Sequence, residues 1–517
     1  MQTLDVARPD RFSPGDIIAG ISVAVVVIPQ ALAYAELAGM PAYTGLYAAA
    51  LPPLAASLFA SSRYLQTGPV AMTSLLTFGA LSTIATPFSV EYVGLALVLA
   101  LLVGVIRLIL GLIGGGGITH FMSNPVVLGF TTGATLLIIA SQSAVAFGLE
   151  AAPDGLIERL WHVLTNPSEW SWAAIGLSAA TIALVRFAPR VHPLFPGVLV
   201  AVLIGMAAGT VDGAFVLVGD IPSGFPPFSL DLPWDQVPGL FVSGAIIAVV
   251  GFAEPTAIAR TFAAQDRVRW DADRELVSQG VANLASGLTG GFPVGGSFSR
   301  SSINKLAGAT SRWSGAITGI AVLAFTPFAG VVAGLPRAVL GAIVIGAVIK
   351  LVRLRALWRL IHVSWGQAAI AWATFLATLL LSPRIDLAVL LGMALAAAVH
   401  VYREASRLSV ETRMDGDTMT MAPEGVLFYA SADAFSEAFN EAVAEHPTVR
   451  SLVLDLEGLG RIDLPGAMEL KTFIWDAEQA GIDVEIINIP AHAEGILERV
   501  SSVLEADGDG RPRPMTG

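Results

Sequence analysis

Arg300 is the residue whose type and position most demand a chemical reason. It lies in Pro293-Val-Gly-Gly-Ser-Phe-Ser-Arg-Ser-Ser-Ile-Asn304, inside a run that otherwise reads as membrane-embedded. A charged side chain near the bilayer centre costs about 2.5–3.5 kcal/mol or more, so it is retained where it faces a cavity, a partner or a substrate. For an arginine that partner should be an anion. Gly295 and Gly296 are expected to break the preceding helix and bring backbone close to a ligand. Ser297 stands where the N-cap of a new, short helix belongs. The free N–H groups of that helix start carry about half a positive charge, and broken half-helices bind anions this way in secondary transporters. Ser297, Ser299 and Arg300 would add hydroxyl and guanidinium donors. The alternative is a kinked helix whose arginine snorkels to the interface.

Two carboxylates are candidates for binding a coupling ion, Glu254 before Pro255 and Glu36 near the end of the first apolar run. An ionisable group at membrane depth is a candidate proton or cation site, whereas Glu36 at the outer interface would be ordinary solvated surface. Other chemistry finds no support. The chain has no cysteine, which removes disulfides, thiolate nucleophiles and cysteine metal sites. Its seven histidines are scattered without ligand spacing, and it has neither a Walker A lysine nor a G-x-S-x-G elbow. ATP hydrolysis is therefore not the expected energy source. No enzyme activity, cofactor, bound metal or nucleic-acid partner is expected.

The elements that must hold these residues are membrane spans. Of 517 residues 54% are hydrophobic and 14% charged, with mean hydropathy +0.70, outside the range of soluble globular proteins. Arg8 and Arg11 before the run Ile17 to Ile28 imitate a signal peptide, but many more spans follow. Against the roughly 20 residues of a full crossing, apolar stretches begin near residues 16, 44, 69, 91, 124, 171, 195, 238, 275, 297, 312, 337, 366 and 385, about fourteen spans. Arg63, Arg186, Arg260, Lys305, Arg355 and Arg403 fall on one side, placing both termini in the cytoplasm of a cell inner membrane or plasma membrane. The opposite long loops, 148 to 170 and 212 to 237, are acidic, with Glu150, Asp154, Glu158, Asp212, Asp220, Asp231 and Asp235 against Arg159. Residues 350 to 363 read as an amphipathic helix lying in the inner interface. The net charge of −12 does not oppose anion handling, because charge far from the pathway is screened within about 8–10 Å.

Corresponding features recur, as in an inverted repeat. Pro29 in span one pairs with Gly68-Pro69 opening span three, and Glu254-Pro255 in span eight with Gly296-Ser297 opening span ten, at separations of 40 and 41 residues. Pro125 to Gly129 and Pro336 to Gly341 form a further pair. Two half-helix starts from opposite sides would then meet at the midplane; chance recurrence in a Gly- and Pro-rich chain is the alternative.

After Arg403 the pattern turns alternating and charged. Strands are predicted at Leu408 to Met414, Thr418 to Ala422, Val426 to Ala430, Ser451 to Leu456 and Asp483 to Ile489. Helices are predicted over Ala434 to Glu445, capped by Asp433, over Pro465 to Ala480, and to about Leu504, with a disordered tail from 505.

Several stretches together carry a family resemblance: Pro29-Gln-Ala-Leu-Ala-Tyr-Ala-Glu-Leu-Ala-Gly-Met-Pro41, Gly45-Leu-Tyr47, Thr67-Gly-Pro-Val-Ala71, Asp271-x-Asp-x-Glu-Leu276 with Gly280 and Asn283, and Gly296-Ser-Phe-Ser-Arg-Ser301. The chain resembles the SulP sulfate permeases, the family of prestin and pendrin, which append a cytoplasmic STAS domain. That resemblance implies a polytopic α-helical membrane protein of about fourteen spans in a seven-plus-seven inverted repeat, with a cytoplasmic α/β STAS domain. Residues 1–403 would form the transport domain, its core made of spans one to four and eight to eleven and its gate of spans five to seven and twelve to fourteen; residues 404–517 would form the STAS domain and tail. It also implies a homodimer and an anion pocket lined by Gln30, Tyr34, Val70, Ala71, Ser297, Ser299 and Arg300. The implied function is secondary active transport of a small anion (sulfate or a related oxyanion, bicarbonate or a dicarboxylate) by elevator-like alternating access, with H+ or Na+ as coupling ion. An uncoupled channel, an exchanger and a membrane-tethered STAS sensor are the alternatives. Where bacterial anti-sigma-factor antagonists carry a phosphorylatable serine after the aspartate, this chain has Leu464 after Asp463, which cannot accept phosphate.

Overall fold

The computed structural model describes residues 12–117, 123–149, 156–192, 194–211, 213–228, 230–405, 409–428, 431–446 and 448–506. Arg8, Arg11, Glu150, Asp154, Asp212 and the tail from 507 lie outside the described residues. Contacts divide the chain into two compact units, Met1–Met393 and Ala394–Gly517.

In the first half the helices are α1 (Pro14–Leu37), α2 (Ala42–Phe59), α3 (Ala71–Leu81), α4 (Val90–Leu112), α5 (Asn124–Ala146), α6 (Leu156–Thr165), α7 (Trp172–Val191) and α8 (Gly197–Gly209). The second half runs α9 (Val237–Asp266), α10 (Ala272–Leu288), α11 (Phe298–Leu306), α12 (Trp313–Phe325), α13 (Arg337–Val348), α14 (Leu354–Val363), α15 (Trp365–Leu380) and α16 (Ile385–Ala405). Setting aside α6 and α14, these are the fourteen spans, each beginning within a few residues of its predicted start. Six segments among the described residues are long and apolar enough to cross a bilayer alone; α3 and α11 are half-length.

The halves correspond element by element. Pro29 lies inside α1 and Pro255 inside α9, and each helix runs on through its proline. Pro125 opens α5 and Pro336 caps α13. The amphipathic helix expected at 350 to 363 is α14, which buries Leu357 and exposes Trp358. Its counterpart α6, in the same place after the fifth span of its half, lies where an irregular acidic loop was expected. Trp161 and Leu164 are exposed along it.

Two buried carboxylates lock the short helices in place. Asp16, in the first turn of α1, accepts from the N–H groups of Thr310 (2.8 Å) and Ser311 (2.9 Å) in the turn after α11. Glu275, in α10, accepts from Ser62 N–H (2.8 Å) in the segment leading to α3.

The C-terminal unit is an α/β domain. Its elements are β3 (Ser409–Asp415), β4 (Thr418–Leu427), α17 (Ala432–Glu445), β5 (Ser451–Asp455), β6 (Leu459–Ile462), α18 (Leu464–Gln479), β7 (Asp483–Ile487) and α19 (Ala491–Ala506). The sheet order is β3-β4-β5-β7, antiparallel only between β3 and β4, with β6 parallel to the end of β4. Alternation buries Met419 and Met421 of β4 beside Leu452 and Leu454 of β5. Three expectations need correction. The strands predicted from 418 and from 426 are one strand ending at Leu427, because an irregularity at Gly425/Val426 lets β4 change partner from β5 to β6 without ending; Tyr429 and Ala430 lie outside the described residues. The short strand β6 was not anticipated. The cap of α17 is Ser431 rather than Asp433, which falls inside the first turn.

The candidate anion site

The site is built where the segments before α3 and α11 cross. Two-residue strands β1 (Thr67–Gly68) and β2 (Gly295–Gly296) pair antiparallel, Thr67 opposite Gly296 and Gly68 opposite Gly295. Ser297 N–H extends the ladder to Gln66 O at 3.0 Å, and Gln66 N–H donates to Ser301 Oγ at 2.9 Å. Backbone pairing thus holds the two half-helix starts side by side, satisfying groups that would otherwise be orphaned at membrane depth. The glycines do not break a helix, since α10 already ends at Leu288; they make the crossing close. A Cβ on Gly296 would lie 2.7 Å from Leu65 Cδ1 and 3.3 Å from Pro255 Cα.

Side chains of α10 fix this ladder from behind. Asn283 holds both sides of the Val294 peptide, accepting from its N–H at 2.9 Å and donating to its carbonyl at 3.1 Å. Gln279 Nε2 donates to Thr67 Oγ1 at 2.8 Å.

Ser297 is the N-cap of α11, its hydroxyl accepting from Arg300 N–H at 3.5 Å. Val70 occupies the same position on α3, with no side-chain cap. Arg300 is 1% exposed, and Nε, Nη1 and Nη2 all lack a hydrogen-bond partner among the described residues. Its Nη2 lies 3.4 Å from where a Gly68 Cβ would stand, so the guanidinium lies against the backbone of β1. Gly68 has φ +150°, a conformation that favours glycine. Tyr34 and Glu254 are the charged or polar groups that act electrostatically on Arg300. Glu254 in turn feels Arg300 and the N–H of Phe298, the first residue of α11.

The candidate residues therefore fall as follows. Gln30 and Tyr34 are buried one turn apart on α1, which packs on α11. Val70 is buried, Ala71 and Ser297 are half-buried, and Ser299 is exposed at the start of α11. Glu36 belongs to a different contact. Its Oε1 accepts from Arg337 Nε of α13 at 3.0 Å, and its side chain is 8% exposed, so it is neither solvated surface nor part of the crossing.

One charged residue beside the ladder was missed. Arg107 of α4 is fully buried and donates from Nε, Nη1 and Nη2 to the carbonyls of Ala248 (3.0 Å), Val294 (3.0 Å) and Ile247 (3.1 Å). The signal was available, since it is a lone arginine in an apolar span, as Arg300 is.

Chemically, the crossing offers two helix starts, hydroxyls and one unpaired guanidinium, and no nucleophile held by a base. It can bind an anion; nothing in it is arranged to break a bond. Comparison with known proteins agrees. The Sulfate permease family matches residues 14–374 and the STAS domain residues 409–502. The chain is 30% identical over 528 residues to Probable sulfate transporter 4.2 of Arabidopsis thaliana, covering 92% of this chain and 76% of that protein. It is 33% identical over 405 residues to Probable sulfate transporter MT1781 of Mycobacterium tuberculosis, covering 77% and 71%. The murine Solute Carrier 26 family member A9 anion transporter, solved in the inward-facing state, shares the fold with a TM-score of 0.85 at 20% identity, covering 96% of this chain and 89% of that one. The fourteen spans are thus a seven-plus-seven inverted repeat with core and gate domains, and the C-terminal unit is a STAS domain. With family and fold established together, the chain belongs to the sulfate permease family and is a multi-pass membrane transporter of anions, not an enzyme.

Proposed function

We propose that this protein is a secondary active transporter of a small oxyanion, sulfate first, and that the anion binds at the β1–β2 crossing between Arg300 and the starts of α3 and α11. The observation that carries the reading is the unpaired, buried guanidinium of Arg300. A buried charge without a partner is too costly to keep in a finished protein core, so a ligand of opposite sign is the physical completion of the site. Gln30, Tyr34, Val70, Ala71, Ser297 and Ser299 line it. Sulfate is put first because relatives that match the chain are named as probable sulfate transporters; bicarbonate and dicarboxylates share the chemistry.

Transport is by an elevator-like movement of a core (spans one to four and eight to eleven) against a gate (spans five to seven and twelve to fourteen). The protein is a homodimer in an inner or plasma membrane, with both termini and residues 404–517 in the cytoplasm. A proton carried by Glu254 drives uptake. The ionised carboxylate is already stabilised by Arg300 and by the N–H at the start of α11, so it competes with an arriving anion for the same positive groups, and proton and anion occupancy rise together.

The test is uptake into proteoliposomes of labelled sulfate, bicarbonate, fumarate and chloride, with and without an inward proton or sodium gradient. Saturable sulfate uptake accelerated by protons is expected. Uptake that responds to sodium alone would remove the proton assignment, and non-saturating flux of every anion would make the protein a channel.

A further inference from the structure

Arg107 is used by nothing in the reading above, yet it is a full charge buried inside a span. An arginine stays charged in proteins, and burial of a charge is ordinarily answered by an opposite charge. Here no carboxylate answers it among the described residues: its three hydrogen bonds all go to backbone carbonyls. Two of those carbonyls belong to α9, the helix that carries Glu254, and the third is that of Val294, immediately before β2. The fit is tight. A Cβ on Gly251 would stand 2.6 Å from Arg107 Nη2, so only glycine there lets the guanidinium lie against α9. Arg107 therefore clamps the segment that enters the crossing and places an uncompensated positive charge directly behind it.

We infer that Arg107 is a specificity-determining residue that never touches the substrate, and that its charge sets the site's preference for divalent over monovalent anions. The inference rests on the anion site at the crossing. With Glu254 ionised, Arg107 and Arg300 leave the crossing one positive charge in excess; with Glu254 protonated the excess is two, which matches a dianion. From Val294 the path to the anion runs one residue to Gly295, across one strand spacing to Gly68, and on to Arg300, so the charge acts over on the order of 10 Å. At that distance and an effective dielectric constant of about 20, one protein charge changes affinity roughly tenfold for each charge on the anion.

This gives a signature that a purely structural role does not have. Removing the charge weakens a dianion by the square of the factor for a monoanion, whereas loosening the clamp weakens both alike. The experiment uses the full-length protein in detergent and titrates sulfate and chloride at fixed ionic strength, reading apparent affinity from the rise in Tm. R107Q is expected to weaken sulfate roughly hundredfold and chloride roughly tenfold. R107K keeps the charge but cannot span three carbonyls, so it should keep the wild-type sulfate-to-chloride preference while slowing turnover in liposomes. Equal weakening of both anions by R107Q, or no change in either, overturns the inference. If R107Q does not fold, R107K decides alone: retained preference supports the inference and a collapsed preference overturns it. Failure of the wild type to bind either anion would instead bring down the anion site itself, a result distinct from a binding site indifferent to Arg107.

Discussion

The starts of α3 and α11 share a backbone geometry and differ in chemistry. Each follows a two-residue strand of the same ladder, and each has an extended N-cap residue, Val70 or Ser297. The start of α3 supplies only backbone: Val70 has no cap, and no charged residue falls in the first turn of α3. The second half supplies a capping hydroxyl, the carboxylate of Glu254 and the guanidinium of Arg300. Symmetry thus sets two positive helix ends side by side, and the departure from symmetry puts the charged side chains beside one of them. The fixed charge sits on one wall, at the start of α11 and beside Glu254 of α9.

The strongest way to break that comparison is Arg300→Ala. The two charge-assisted hydrogen bonds proposed for the anion contribute about 1.5–3 kcal/mol each, so sulfate affinity should fall on the order of hundredfold or more. Because the guanidinium is unpaired without ligand, Tm of the ligand-free protein should hold or rise. Unchanged uptake in this variant would move the site elsewhere. Next is Ser299→Trp. Ser299 is exposed at the start of α11, so an indole fits there without disturbing a core and should obstruct flux while monodisperse protein is retained in detergent. Persistent transport with normal affinity would show that this wall does not face the anion.

A smaller difference separates the caps themselves. Ser297→Ala removes a hydroxyl that accepts from Arg300 N–H, and loss of an N-cap costs about 1 kcal/mol. Sulfate affinity should weaken several-fold through the loosened first turn. Val70→Ala removes no cap and leaves the N–H groups of α3 in place, so sulfate affinity should change less than about twofold, any cost of the methyl groups lost at this buried position appearing as a lower Tm. Equal effects at the two positions would mean that the halves are chemically equivalent after all.

Much of this was legible in sequence, for reasons specific to each feature. The spans were legible because each must be apolar over its own length, a purely local requirement. Arg300 and Glu254 stood out because charge is rare in such runs, and the repeat showed through Pro29 and Pro255. What could not be read depends on distant partners. Strands β1 and β2 are two residues each, too short for any alternation, and exist only because they meet. Glu254 and the Phe298 N–H that acts on it come from segments 44 residues apart in the chain. The roles of Asn283 and Arg107 are set by the carbonyls they reach, which composition does not reveal. In the STAS domain β4 hid its continuity behind Pro423 and Gly425, residues that ordinarily end a strand.

Glu254→Gln sharpens the comparison most finely, because it removes the negative member of the charged wall and leaves its shape. Glutamine keeps an oxygen that can accept from Phe298 N–H, so the start of α11 should stay in place and anion exchange should continue. The lost negative charge no longer opposes the anion, so sulfate affinity should rise, most at high pH where the wild-type carboxylate is ionised and least at low pH where it is already protonated. Coupling should fail. On the proposed mechanism a proton accompanies the anion because the ionised carboxylate and the anion compete for the same helix start; with glutamine, position 254 is neutral at every pH, and an inward proton gradient has no group there to act on. Counterflow of labelled sulfate at equal pH should therefore be preserved, while acceleration by external acid disappears. If Glu254→Gln liposomes still concentrate sulfate when the outside is acidified, the proton is carried elsewhere. Glu36 is then the next carboxylate to test, since its Oε2 is buried without a partner beside the Arg337 ion pair.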